Sequence, residues 1–234
     1  MSISYVRTVG TAFSTGNAGV TSVVLTVGGG ITTTVGNHLI LVDSSYYATT
    51  LPNITDPKGN AWQWDVQDNA RMFLASCKIT NPLLTGDTIT MTYAGGNSAH
   101  GFAILEVAGL HSTQWFENKI GYETGSSSAT ESPYTPSVSV GGSFILGAQF
   151  CQVSMPGVSY EALTPAWTVA ATYIANGNAS SDYGFNSAYR IPPLGGPMRV
   201  KSTFSGPRPW YAIVASYRAV FPEDVLSIGN RRAY

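Results

Sequence analysis

The chain has 234 residues and carries 12 Lys plus Arg against 13 Asp plus Glu, a near-neutral balance that gives no basic footprint for nucleic acid. Charged residues make up only 11 % where about 25 % is usual, so the polar surface must come from Ser, Thr, Asn, Gly and Tyr. Such a surface repels its neighbours weakly, which suits a subunit packed in an assembly or displayed outside cells better than a free cytoplasmic monomer.

Met1 to Gly10 has neither the charged start nor the apolar run of an export leader. No later stretch reaches the ~18 apolar residues of a helical span, so membrane insertion is not expected. Short runs rich in β-branched and aromatic residues then follow one another: Val20 to Val27, Asn37 to Val42, Met72 to Ile79, Thr88 to Tyr93, Phe102 to Val107, Ser143 to Phe150, Trp167 to Tyr173, Phe185 to Ile191, Arg199 to Phe204 and Tyr211 to Tyr217. Turn clusters such as Gly28-Gly29-Gly30, Asp56-Pro57-Lys58-Gly59-Asn60, Gly95-Gly96-Asn97 and Gly195-Gly196-Pro197 separate them. No segment has a 3.6-residue apolar period, and the expected fold class is all-β.

The runs also repeat. Gly36-Asn37-His38-Leu39-Ile40-Leu41 answers Gly141-Gly142-Ser143-Phe144-Ile145-Leu146, and Ala61-Trp62 answers Ala166-Trp167, both at an offset of 105 residues. Ala75 to Ile79 answers Ser187 to Ile191 at 112, and Gly101 to Leu105 answers Trp210 to Val214 at 109. The pattern predicts a jelly-roll-like antiparallel β-sandwich built from two five-strand halves, about residues 20–124 and 137–220, sharing one core within a single domain 1–220. Gly125 to Pro136 reads as either a crossover between the halves or a domain boundary, and residues 221–234 as a C-terminal tail.

Residues capable of chemistry are few. His38, His100 and His111 share no metal-ligand spacing, and the chain has no GxSxG, HExxH, P-loop or strand-to-helix GxGxxG. Cys77 and Cys151 lie in apolar strand-like runs without CxxC spacing, as buried thiols do, although a disulfide between them stays open. Asp65 and Asp68 are close in sequence, and Glu106 lies in the apolar run AILEVAGL, where burial would raise its pKa and make it a conceivable acid. A solvent-facing position or a basic partner is the plainer reading of Glu106.

Asp56 to Asn60 and Gly86-Asp87 offer oxygen ligands for calcium, but a tight turn explains the first cluster. Asn53-Ile54-Thr55 and Asn178-Ala179-Ser180 match the glycosylation triplet, as chance allows in so Asn-, Ser- and Thr-rich a chain. Expectation is therefore no catalytic residue, no metal ligand and no cofactor. Aromatics are the richer resource: Trp62 and Trp64 point to one strand face as core residues would, while Trp115-Phe116, Tyr122, Tyr134, Tyr160 and Trp210-Tyr211 fall near loops or strand ends, where rings stack on sugars or protein partners.

The series VGNHLILV, NITDPKGNAW, ASCKI, GDTITMTY, AILEVAGL, PSVSVGGSFILGA, PAWTVAA, SAYRI and WYAIVASYRAV resembles the β-sandwich modules of tailed-phage virion proteins, the minor tail or decoration type of actinobacterial phages. The likeness spans about residues 5 to 220 and consists of strand and turn positions, with no functional residue to transfer. It implies a structural virion component on tail or capsid, reaching the exterior by assembly and lysis. Its partners would be other virion proteins and further copies of the chain, with adhesion to host cell-surface glycan as an added role. The tail, with Arg231 and Arg232, or the N-terminus would serve as anchor. A carbohydrate-binding module or lectin is the alternative from another class. A glycoside hydrolase is the third, and would need two acids about 5 to 9.5 Å apart in a cleft.

Overall fold

The computed structural model describes residues 2–14, 20–45, 51–68, 72–97, 100–131, 142–151, 159–160, 165–175, 183–193 and 196–220. Among them are fourteen strands and no helix. The first eight are β1 (Ser4–Ser14), β2 (Val20–Thr26), β3 (His38–Ser45), β4 (Asn53–Thr55), β5 (Gln63–Asp68), β6 (Met72–Lys78), β7 (Thr88–Asn97) and β8 (His100–Ala108). The remaining six are β9 (Phe116–Glu131), β10 (Phe144–Cys151), β11 (Ser159–Tyr160), β12 (Thr168–Ala175), β13 (Tyr183–Arg190) and β14 (Lys201–Tyr217).

All pairings are antiparallel. One sheet runs β1-β8-β3-β6-β5 and a smaller one β2-β7-β4. Four strands in the order 1-8-3-6 facing strands 2-7-4 is the arrangement of a jelly roll, here with β5 added beside β6. The third sheet runs β11-β14-β10-β13-β12, with β9 also on β14, so β9-β14-β10-β13-β12 repeats the order of the first sheet. In this half single long strands do what pairs do in the other. Lys201 to Thr203 of β14 pairs with the far end of β9 and with β11, as β7 pairs with β2 and β4, while Trp210 to Tyr217 pairs with β9 and β10, as β8 does with β1 and β3.

The layers follow from which faces are apolar. On β2, Val23 and Leu25 are buried while Ser22, Val24 and Thr26 face solvent, the alternation of an outer sheet. On β3, Leu39 to Val42 are buried on both faces, because this sheet lies between two others. Leu39, Leu41, Cys77, Phe102 and Ile104 pack against Leu25, Ile89 and Met91 of the outer sheet. On the opposite face Ile40, Val42, Leu74 and Leu105 meet Phe144, Leu146, Phe185 and Ile213 of the second half. The far face of the second half is closed by Trp167 and Val200 over Ile145, Ala188 and Val214.

The β1-β8-β3-β6-β5 and β9-β14-β10-β13-β12 arrays lie on each other in reversed order: β1 contacts β12, β5 contacts β9, and β6 contacts β14. That is the geometry of an isologous pair, a two-fold relation realised within one chain. The bulges repeat as well, between Trp64 and Val66 on β5 and between Val169 and Ala171 on β12.

Register corrects the sequence alignment. Gly36 and Gly142 hold the same positive φ, 90° and 91°, and each donates its N–H across the sheet, to Ile79 O at 2.9 Å and Pro192 O at 2.7 Å. The true offset on this strand is thus 106 residues (142 − 36), one more than the sequence suggested. The slip matters because Ile40 belongs to the core between the halves, whereas Ile145 belongs to the outer cluster.

The half boundaries move too. The first half begins at Ser4, not near 20, and the second opens at Phe116, so residues 125–131 continue β9 and the crossover is the short segment 109–115. β1 escaped notice because Arg7 and Gly10 break its apolar pattern at two register shifts. The proposed tail, 221–234, lies outside the described residues, as do Tyr134 and the second glycosylation triplet.

Candidate functional site

Gly109 ends β8 with a φ of 78°, and the crossover that follows is bound to the end of the second half. His111 N–H donates to Arg218 O at 2.9 Å, Arg218 N–H to Trp115 O at 2.7 Å, and Val220 N–H to Gly109 O at 3.1 Å. Within the crossover, His111 Nδ1 accepts the backbone N–H groups of Thr113 at 3.2 Å and Gln114 at 3.0 Å. The segment HSTQW is thereby fixed against Arg218, and Gln63 at the start of β5 faces it.

Between these groups opens a cleft of about 480 Å³, walled by Trp115 and Phe116 and edged by Gln63, Gln114, Glu117 and Arg218, with Thr113 at its lip. A hydrogen-bonded chain ties two of the lining residues, Trp115 and Gln63, to the buried interior. Trp115 Nε1–H donates to Ser76 Oγ at 2.7 Å, and Ser76 in turn bonds the buried Asp65 carboxylate. Gln63 Nε2–H donates to Asp65 Oδ1 at 3.1 Å and the Tyr217 hydroxyl to Oδ2 at 3.0 Å. Burial raises the Asp65 pKa, and the bonds from Ser76, Gln63 and Tyr217 act against that rise. Behind the indole stands His38, with ring centroids 4.7 Å apart. Burial first, then Lys78 and His111, lower its pKa to about 4, so it is neutral at pH 7.

The remaining sequence candidates are turned inward. Glu106 is fully buried and pairs with Arg7, Nε to Oε2 at 3.1 Å, while its Oε1 accepts Thr34 N–H at 2.9 Å and Asn37 Nδ2–H at 2.8 Å. It clasps β1, β8 and the turn before β3, and does not line the cleft. Asp43 is also buried; its Oδ1 accepts the Tyr93 hydroxyl at 3.1 Å, and burial lifts its pKa to about 8. Tyr93 stacks on His100 with centroids 3.6 Å apart, and burial lowers His100 to about 4.

Asp56 is the hub of its turn, accepting from Lys58 N–H, from the Asn60 side chain and from Trp62 Nε1–H at 2.9 Å. Asp87 is held by Leu84 N–H and by Lys58 Nζ at 3.2 Å. No group of three or more His, Cys, Asp or Glu able to hold a metal ion occurs among the described residues. Cys77 is a free, buried thiol whose pKa burial pushes up, and the side chain of Cys151 lies outside the described residues. Trp62 and Trp64 pack on the outer core, and Trp210 is buried in the far cluster. The side chains of Asp68, Tyr122 and Tyr160 lie outside the described residues.

Of the loop aromatics, then, Trp115 and Phe116 reach a cleft. Gln63, Gln114, Glu117 and Arg218 were not singled out in the sequence; the polar run His111 to Gln114, ending on a Trp between two strand patterns, is the local signal that marks part of the site. No protein-family model, no curated protein and no solved structure matches the chain.

Proposed function

We propose that the chain is a non-enzymatic structural component of a bacteriophage virion, mounted on tail or capsid and contributing to host-surface adhesion. The observation that carries this reading is the fate of its acids. Asp43, Asp65 and Glu106 are buried and spent on hydrogen bonds within and between the halves, and among the described residues Glu117 is the one carboxylate on the cleft. A glycosidase needs two carboxyl groups facing one space, and among the described residues the cleft presents one, which supports a binding role over a hydrolytic one.

The jelly roll is also a fold of capsid and lectin domains, an analogy of architecture and not of site. Sparse charge favours lateral contact with neighbouring subunits. Light scattering on the purified chain, run beside a reducing-end assay on bacterial polysaccharides, tests the reading. Defined self-association without release of reducing ends supports it; saccharide turnover above the buffer control sinks it.

A further inference from the structure

We propose that the cleft around Trp115 is a binding site for a neutral saccharide, which makes it the adhesive element of the particle-bound role argued above and rests on that non-enzymatic reading. Its volume, about 480 Å³, falls within the ~300–1,000 Å³ of small-ligand sites. Its lining has the chemistry that sugars require. The amides of Gln63 and Gln114 each present a donor and an acceptor, as a hydroxyl does, Glu117 accepts and Arg218 donates, and Trp115 and Phe116 supply ring faces for the apolar side of a pyranose.

The same lining argues against other ligands. One carboxylate and one guanidinium leave no net field to hold a phosphate or an acidic glycan, and Glu117 would repel either. An apolar ligand would strand the exposed Gln114 amide without water.

A second observation separates this cleft from the demands of the fold. The strand orders β1-β8-β3-β6-β5 and β9-β14-β10-β13-β12 correspond, and the bulge between Tyr5 and Arg7 on β1 matches the one between Phe116 and Asn118 on β9. The residue before Phe116 is Trp115, whereas the residue before Tyr5 is Ser4. The architecture thus forms the same strand start without an indole. In the second half that position carries a large ring pinned through Ser76 to Asp65, with Gln63 tied to the same carboxylate. Side chains fixed in advance lose little rotamer freedom when a ligand arrives, which is how a shallow site gains affinity.

The test uses the intact chain in two arms. Methyl glycosides of glucose, galactose, mannose and N-acetylglucosamine are titrated by saturation-transfer NMR, and a printed array carries neutral and acidic bacterial oligosaccharides. The proposal expects at least one neutral saccharide to bind, with affinity falling ten-fold or more in Gln114→Ala and Glu117→Gln. Gln114 is exposed, so its truncation leaves the melting temperature unchanged and separates lost binding from lost fold. Trp115→Ala, which removes the ring wall, should abolish binding. The proposal is overturned if folded wild type binds no saccharide, if binding survives both polar substitutions, or if acidic glycans alone are retained. A chain that co-purifies with phage particles yet binds no sugar fails this inference and keeps the structural role; one that binds sugar but is absent from particles does the reverse.

Discussion

The Tyr217 hydroxyl donates to Asp65 Oδ2 at 3.0 Å across the junction between the two halves, and both residues are buried. Asp65 sits at the β5 bulge and Tyr217 at the end of β14, so this bond joins segments 152 residues apart and holds the carboxylate to which Gln63 of the cleft is bonded. Tyr217→Phe leaves a buried carboxylate short of a donor and should cost about 1–3 kcal/mol, read as a lower urea midpoint at pH 7. Because the Tyr217 bond works against the burial-driven rise of Asp65, the loss should also be larger at pH 8 than at pH 5. A variant as stable as wild type at both values contradicts the assigned bond.

Stability should fall on the alkaline side through Asp43. Its folded pKa of about 8 stands above the ordinary 3.8, so between those values the native state holds a proton that the unfolded chain has released, and stability declines as pH rises. His38 and His100 act with the opposite slope: lowered to about 4 from 6.5, they lose stability as pH falls through that window. Above pH 6.5 the histidines are neutral in both states and Asp43 acts, for a decline of about 1–2 kcal/mol by pH 8. Asp43→Asn should flatten that limb of the urea-midpoint profile while keeping the acid limb; an unchanged alkaline slope would contradict the burial of an ionisable group there.

Backbone geometry at the crossover gives a sharper contrast. A Cβ on Gly109 would meet Ser2 O at 2.6 Å and Ile3 Cα at 2.9 Å, on top of a positive φ. At Gly86 the φ is 91° and nothing lies within 4 Å. Gly86→Ala should therefore cost about 1 kcal/mol from conformation alone, and Gly109→Ala about 2–4 kcal/mol as β1 is pushed from the end of β8. Equal melting-temperature losses in the two variants would show that the N-terminal strand does not close over Gly109.

Glu106 separates a structural acid from a reacting one. Glu106→Leu strands Arg7, Thr34 N–H and Asn37, and should destabilise by about 3 kcal/mol, while the double variant with Arg7→Met recovers part of the loss. Additive losses in the double-mutant cycle would deny the coupling.

How much of this was readable in the chain depends on what each strand faces. The alternation of Val23 and Leu25 with polar neighbours marks an outer strand, and the turn residues around Gly36, Gly59 and Gly86 stand where φ is positive. On β3 and β10, however, both faces are apolar, so Leu39-Ile40-Leu41 carries no phase, and a one-residue slip against Phe144-Ile145-Leu146 is invisible in sequence. β1 was hidden by its bulges, because each shifts the period and brings Arg7 into line with a buried glutamate.

The site was legible only in part. Trp115 and Phe116 stand out as aromatics between strand patterns, but Gln63 and Arg218 arrive from about 50 and 100 residues away along the chain, brought there by the packing of the two halves. A pairing set by tertiary contact leaves no local period or motif.

Quantitative mass spectrometry of particles density-purified from a lysate of cells that express this gene tests the proposed virion role most directly. The account predicts that peptides of the chain copurify with the particles at a fixed ratio to the major capsid subunit and persist through a high-salt wash. Peptides confined to the soluble lysate, with none on the particles, would contradict it.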